Sequence, residues 1–96
     1  MPKPAKEVAA ALKRKGFQTS NSDHVYYRLF VAGKKTMIYT KISHGEKEIG
    51  DPLLSAMARQ LRLTRNQLND LIDCPLQYGD YVKILTDAGV VAAPGG

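Results

Sequence analysis

Residues 22–31 constrain the fold of this chain most, because apolar and polar side chains alternate along them. A period of two is typical of a β-strand that buries one face. The face that we expect to be buried carries Val25, Tyr27, Leu29 and Val31. The other face combines an imidazole, aromatic rings and a cation, in His24, Tyr26, Arg28 and Phe30. This second set suits stacking on bases and holding phosphate, so the strand is a candidate nucleic-acid surface.

A second strand, residues 36–42, is predicted to pair with the first across a turn at residues 32–35. The register that keeps apolar side chains together pairs Val31 with Thr36, Leu29 with Ile38, Tyr27 with Thr40 and Val25 with Ile42. The opposite face then pairs Phe30 with Met37, Arg28 with Tyr39, Tyr26 with Lys41 and His24 with Ser43. A slip of one residue would turn Ile38 and Ile42 to the polar side, so we expect this register.

Helical periodicity and end signals predict helices on both sides of these strands. The first helix has Pro4 in its first turn and ends at Gly16, and a short strand follows at residues 17–20. Asp51 as N-cap, with Pro52 after it, opens the second helix. Further helices are expected from residue 64, where Thr64 and Gln67 form a capping box, to about residue 73, and from residue 78 to about 89.

The predicted fold class is therefore α+β, a three-stranded antiparallel sheet with helices packed on one face. We expect a single domain over residues 1–96. Its α-β-β-β-α core covers residues 5–63, a C-terminal helical extension covers residues 64–89, and a flexible tail covers residues 90–96. Cys74 interrupts the extension before a proline, and a buried, inert thiol is the default for such a residue.

Charge is unevenly distributed along the chain. Residues 1–47 carry ten Lys and Arg against three acidic residues, a net of +7, whereas residues 48–96 carry four against six, a net of −2. This asymmetry favours a polyanion-binding face on the first half. A single cysteine excludes an internal disulfide and supplies no zinc cluster, so we expect a cytoplasmic protein without a metal or other cofactor. The sequence contains no long apolar run, which argues against a membrane span.

Several short motifs occur in an order that resembles one protein family. They are Ser22-Asp23-His24 at the start of the long strand, the hairpin Gly33-Lys34-Lys35, residues 43–53 (SHGEKEIGDPL) and residues 58–63 (ARQLRL). Together they resemble the HicA-type toxins, small mRNA interferases of bacterial and archaeal toxin–antitoxin systems. The resemblance covers roughly residues 5–64, and the family usually ends soon after the second helix, whereas this chain continues.

The resemblance implies a fold like that of double-stranded-RNA-binding domains, mRNA as substrate and a HicB-type antitoxin as partner. It also implies that His24 is catalytic and that His44 matches a histidine that the family tends to carry before its second helix. Imidazole suits this role because it can accept or donate a proton near neutral pH. The pairing of His24 with Ser43 makes Ser43 and His44 auxiliary candidates. Further candidates for RNA binding are Lys13, Lys15, Tyr26, Arg28, Lys34, Lys35, Tyr39 and Lys41.

Two other functions remain open from the residues alone. The same surface could bind RNA without cutting it. Residues 55–73 can also be interpreted as a helix-turn-helix, in which Arg65, Asn66 and Gln67 would read DNA bases. Glycine is common in that turn where Arg62 stands here, which weighs against the DNA-binding interpretation.

Overall fold

Three antiparallel strands form the central sheet of the computed structural model, which describes residues 2–73 and 75–91. The elements are β1 (Lys3–Pro4), α1 (Ala5–Arg14), β2 (Phe17–Asn21), β3 (Val25–Val31), β4 (Lys34–Ile42), β5 (Glu48–Ile49), α2 (Asp51–Gln60), α3 (Arg65–Asp73) and α4 (Tyr78–Asp87). The strand order is β2-β3-β4. The predicted α+β class with its three-stranded antiparallel sheet is confirmed. None of the helices within the described residues could cross a membrane.

One face of the sheet and the apolar faces of the helices share a single core. The largest fully buried side chains in it are Leu12, Leu29, Ile38, Leu54, Leu61, Leu68, Leu71, Tyr81 and Leu85. The alternation along β3 decides which face is buried, because Tyr27 and Leu29 point into the core while Tyr26 and Arg28 do not. The other face of β3 and β4 exposes Met37, Tyr39 and Lys41 and carries the candidate functional side chains. We refer to it as the open face.

The register of β3 against β4 agrees with the prediction at one end of the hairpin and differs at the other. The structure pairs Val25 with Ile42, Tyr26 with Lys41, Tyr27 with Thr40, Arg28 with Tyr39, Phe30 with Lys35 and Val31 with Lys34. The predicted register is therefore correct from Val25 to Arg28, and it is wrong by two residues at Phe30 and Val31.

The turn explains this difference. Ala32 and Gly33 both have positive φ angles, 53° and 75°, as a two-residue type I′ hairpin requires. This tight turn brings Lys34, rather than Thr36, opposite Val31. A bulge in β4 between Lys35 and Tyr39 accommodates the two extra residues of that strand. The Thr36 hydroxyl stabilises the bulge by donating to the Leu29 carbonyl oxygen at 2.8 Å.

Two ends of elements also differ from the prediction. The strand β3 begins at Val25, so His24 lies in the preceding turn, which the Ser22 N–H closes by donating to the His24 carbonyl oxygen at 3.0 Å. Gly50, not Asp51, is the N-cap of α2, and Asp51 is the first helical residue. The predicted capping box of α3 is present: Thr64 and Gln67 each accept, through the side chain, a hydrogen bond from the other's backbone N–H.

Residues 64–89, predicted as an extension, belong to the same core as the rest of the chain. Tyr81 is fully buried, and its ring stacks on Phe17 with centroids 6.0 Å apart. Val90 and Val91, which the sequence assigns to a flexible tail, are partly buried against this core. Cys74 and the remainder of the predicted tail, residues 92–96, lie outside the described residues.

Candidate nucleic-acid interface

His24 lies beside a carboxylate that belongs to the same turn. Its Nδ1 is 3.2 Å from Oδ2 of Asp23, whose Oδ1 accepts hydrogen bonds from the Ser22 hydroxyl at 3.0 Å and the Tyr26 hydroxyl at 3.3 Å. The hydrogen bond from Ser22, followed by the interaction with His24, lowers the pKa of Asp23. Asp23 therefore stays ionised at neutral pH, where it can stabilise a protonated imidazole.

The His24 ring is partly enclosed. Its side chain is 31% exposed, and Nδ1 is buried without a hydrogen bond of good geometry. Within the described residues, no group forms a hydrogen bond with Nε2. This second nitrogen is consequently free to exchange a proton with a bound molecule.

A cavity of about 130 Å³ lies next to His24, at the end of β4 and beside α2. Its polar lining includes His24, Thr40, Lys41, Ser43, Glu46 and Gln60. The predicted proximity of His24, Lys41 and Ser43 is thus found, because the register is correct at this end of the hairpin. The sequence did not single out Glu46, which reaches the cavity from the loop after β4. A carboxylate and an imidazole on one cavity are two groups capable of proton transfer.

His44 has a different position from Ser43. Its Nε2 lies 3.1 Å from the carbonyl oxygen of Ser22, in the turn that carries His24. The side chain is exposed and is absent from the lining of the cavity. His44 therefore holds the turn in place, which makes it a positioning residue for His24.

Four side chains form a continuous row on the open face, which we call the aromatic row: His24, Tyr26, Tyr39 and Arg28. The rings of His24 and Tyr26 meet edge to face at 6.4 Å, and those of Tyr26 and Tyr39 are 6.1 Å apart. The Arg28 guanidinium lies over Tyr39, 4.8 Å from the ring centre, and also donates to the Thr36 carbonyl oxygen at 2.9 Å. Burial and the Asp23 carboxylate raise the pKa of Tyr26, so its hydroxyl stays neutral.

The predicted lysine contacts do not form one surface. Lys15 is buried, and its ammonium group donates to the Leu76 carbonyl oxygen, which argues against its prediction as an RNA contact. Helix periodicity did not reveal this, because Leu76 is 61 residues away in the chain. Lys13 is exposed in the last turn of α1, which contributes no residue to the aromatic row. Lys34 and Lys35 are exposed at the hairpin turn, at the other end of β3 from His24.

A groove that the sequence did not predict lies beside the aromatic row, between β4 and the end of α2. It has a volume of about 340 Å³ and is lined by Met37, Tyr39, Arg59, Gln60 and Arg62. The two arginines belong to the half of the chain with net negative charge. Helix spacing could not have predicted this pair, because α2 ends at Gln60 and Arg62 lies beyond it with a positive φ of 63°.

The side chains that would read DNA in a helix-turn-helix are mostly engaged elsewhere. Arg65 forms an ion pair with Asp51 at 2.9 Å and lies 3.4 Å from the Ser55 hydroxyl. The Gln67 side chain completes the capping box with Thr64. Asn66 is exposed. These contacts argue against base reading by α3.

Within residues 2–73 and 75–91, no three His, Cys, Asp or Glu side chains form a group that could hold a metal ion. The chain matches no protein-family model, no curated protein and no solved structure with which it was compared.

Proposed function

We propose that this protein is an RNA-binding toxin of a toxin–antitoxin system and a metal-independent mRNA interferase of the HicA type. One observation carries the proposal: His24 Nδ1 lies 3.2 Å from the Asp23 carboxylate, and His24 lines the same cavity as Lys41 and Ser43. From the resemblance of residues 5–64 to that family, we also propose a fold like that of double-stranded-RNA-binding domains, a HicB-type antitoxin as partner and a cytoplasmic location.

The reaction requires two proton transfers. In cleavage without a metal, the 2′-hydroxyl of RNA loses its proton and attacks the adjacent phosphorus, and the bond from phosphorus to the 5′-oxygen breaks. The products are a 2′,3′-cyclic phosphate and a 5′-hydroxyl that has gained a proton. His24 can carry out one of these transfers through Nε2. Proton transfer by a positioned side chain typically raises the reaction rate about 10²–10⁴-fold. The Glu46 carboxylate, which lines the same cavity, is the candidate for the other transfer.

Substrate binding would use the open face. Lys41 lines the cavity, and its ammonium group could hold the reacting phosphate as the charge on the phosphate changes. Bases would stack on the aromatic row, where Tyr39 is 44% exposed. Stacking on an aromatic side chain typically contributes about 1–3 kcal/mol for each base.

The test is induced expression of the parent and of His24→Ala, followed by growth and by total RNA on a gel. We expect growth arrest and RNA loss with the parent alone. His44→Ala is the matched comparison, because it also removes an imidazole near the turn but one that does not line the cavity. As a change to a positioning residue, it should lower cleavage less than His24→Ala does.

Purified proteins extend this test. End-labelled RNA cut by the parent should carry a 2′,3′-cyclic phosphate, and circular dichroism should show that His24→Ala is folded. Cleavage at the parent's rate by folded His24→Ala would refute the catalytic assignment. Intact RNA with every variant, together with measurable RNA binding, would indicate a binding module without catalysis.

A further inference from the structure

The groove between β4 and the end of α2 combines exposed apolar surface with positive charge. Met37 is 70% exposed and Tyr39 is 44% exposed, so both present apolar surface to solvent at the groove. Arg59 and Arg62 line the same groove. Aromatic and cationic side chains at one groove are the combination that binds single-stranded nucleic acid, through base stacking and phosphate contacts.

These two arginines differ from the other basic residues of their half of the chain. Residues 48–96 contain four, of which Arg65 pairs with Asp51 and Lys83 with Asp87. Neither Arg59 nor Arg62 has an ion pair within the described residues. Arg62 also has a φ of 63°, a left-handed conformation that glycine or asparagine adopts more easily. Because arginine occupies this position although the backbone conformation disfavours it, the guanidinium is a candidate functional group.

The groove adjoins the His24 cavity. Gln60 lines both, and its Oε1 accepts a hydrogen bond from the Thr40 hydroxyl at 2.6 Å, which fixes the amide between them. Tyr39 belongs to both the groove and the aromatic row. Along β4, Lys41 and Met37 are separated by about 13 Å at the usual rise of a strand. A bound strand could therefore pass from the cavity over Tyr39 into the groove.

We propose that this groove is a second binding site for single-stranded RNA, in which Arg59 and Arg62 hold phosphates and Tyr39 and Met37 contact a base. The inference rests on the proposed function, since it extends the path of the same substrate beyond the His24 cavity. A single strand is favoured over a duplex because a duplex keeps its base faces stacked internally and offers none to Tyr39. The groove then sets affinity for the RNA on one side of the cleaved bond.

The test compares two double variants that lose the same charge. Arg59→Gln/Arg62→Asn removes both groove cations, and asparagine tolerates the left-handed conformation at residue 62. Lys6→Gln/Lys83→Gln removes two exposed cations from α1 and α4. Both are made in the His24→Ala background, so that the RNA stays intact. The dissociation constant for a single-stranded RNA of about ten nucleotides is measured by fluorescence anisotropy at several salt concentrations.

We expect the groove variant to bind about 25-fold more weakly at ~0.1 M salt, since each phosphate contact on a single strand is worth roughly fivefold there. Its log–log salt slope should fall by about 1.4, while the control stays close to the parent. Equal weakening in both variants, or full affinity in the groove variant, would overturn the groove site and leave the proposed function standing. Full affinity would also favour a protein partner as the occupant of the groove. Failure of the parent itself to bind RNA would instead overturn the proposed function.

Discussion

The Tyr81 hydroxyl donates a hydrogen bond to the Leu61 carbonyl oxygen at 2.8 Å and so joins the fully buried face of α4 to the end of α2. Leu61 immediately precedes Arg62, so this bond lies next to the groove. Burial raises the pKa of Tyr81, which keeps the hydroxyl protonated and able to donate at physiological pH. Through this bond, the C-terminal helix supports the candidate binding surface.

Replacing Tyr81 by phenylalanine should destabilise the protein. The Leu61 carbonyl oxygen would lose its partner, and an unsatisfied buried acceptor costs about 1–3 kcal/mol. The free energy of unfolding from urea titrations checks this. Tyr39→Phe is the control, because its exposed hydroxyl predicts a change within about 0.5 kcal/mol. Equal effects of the two changes would contradict a special role for the Tyr81 bond.

Gly16→Ala should be more harmful than Gly33→Ala. Both glycines have positive φ angles, 93° and 75°, where alanine is strained by about 1–2 kcal/mol. A Cβ on Gly16 would also lie 2.3 Å from Cε1 of Tyr78, whereas one on Gly33 would meet nothing within 4 Å. Thermal unfolding of the two variants isolates the steric contribution, and equal losses of stability would argue against close packing of Tyr78 on Gly16.

Lys15→Met should lower the free energy of unfolding and leave RNA affinity unchanged. The Lys15 side chain is buried, so methionine keeps most of its packing but leaves the Leu76 carbonyl oxygen without its charged donor. Hydrogen bonds to charged groups are worth about 1.5–3 kcal/mol. Urea unfolding and RNA anisotropy, with Lys41→Met as the comparison, test this. Weaker RNA binding by folded Lys15→Met would restore Lys15 as a contact.

Asp23→Asn should lower the rate of RNA cleavage through His24. Asparagine can still accept hydrogen bonds from Ser22 and Tyr26, but it removes the negative charge beside Nδ1. We expect kcat to fall by about tenfold or more, yet by less than the ~10²–10⁴-fold loss in His24→Ala, with KM little changed. An unchanged kcat in folded Asp23→Asn would mean that Asp23 only shapes the turn.

Acid should weaken the fold partly through Asp23. A carboxyl whose pKa is lowered on folding stabilises the protein above its ordinary value of 3.8. That contribution is lost as the pH falls through the lower folded value. We expect the parent to lose more stability than Asp23→Asn when urea unfolding is repeated below pH 4, and parallel losses would contradict this linkage.

The parts of the fold and site that could be predicted depend on interactions between near neighbours. Alternation along residues 22–31 identified the buried face, and helical periodicity found the helices. The capping box at Thr64 depends only on Gln67, three residues away. His24, Lys41 and Ser43 could be grouped because one register joins the strands that carry them, whereas Glu46 and Gln60 reach the same cavity from a loop and a helix.

Local patterns in the sequence therefore predict which faces are apolar, where α3 begins and which residues of β3 share the open face. The burial of Lys15, the completion of the core by α4 and the position of Arg59 and Arg62 beside Tyr39 depend instead on how the whole chain packs. Periodicity reports a residue's neighbours within one element, because backbone geometry repeats there. Contacts between distant elements depend instead on how whole surfaces pack, and in this chain that packing placed two cations from the acidic half beside the aromatic row.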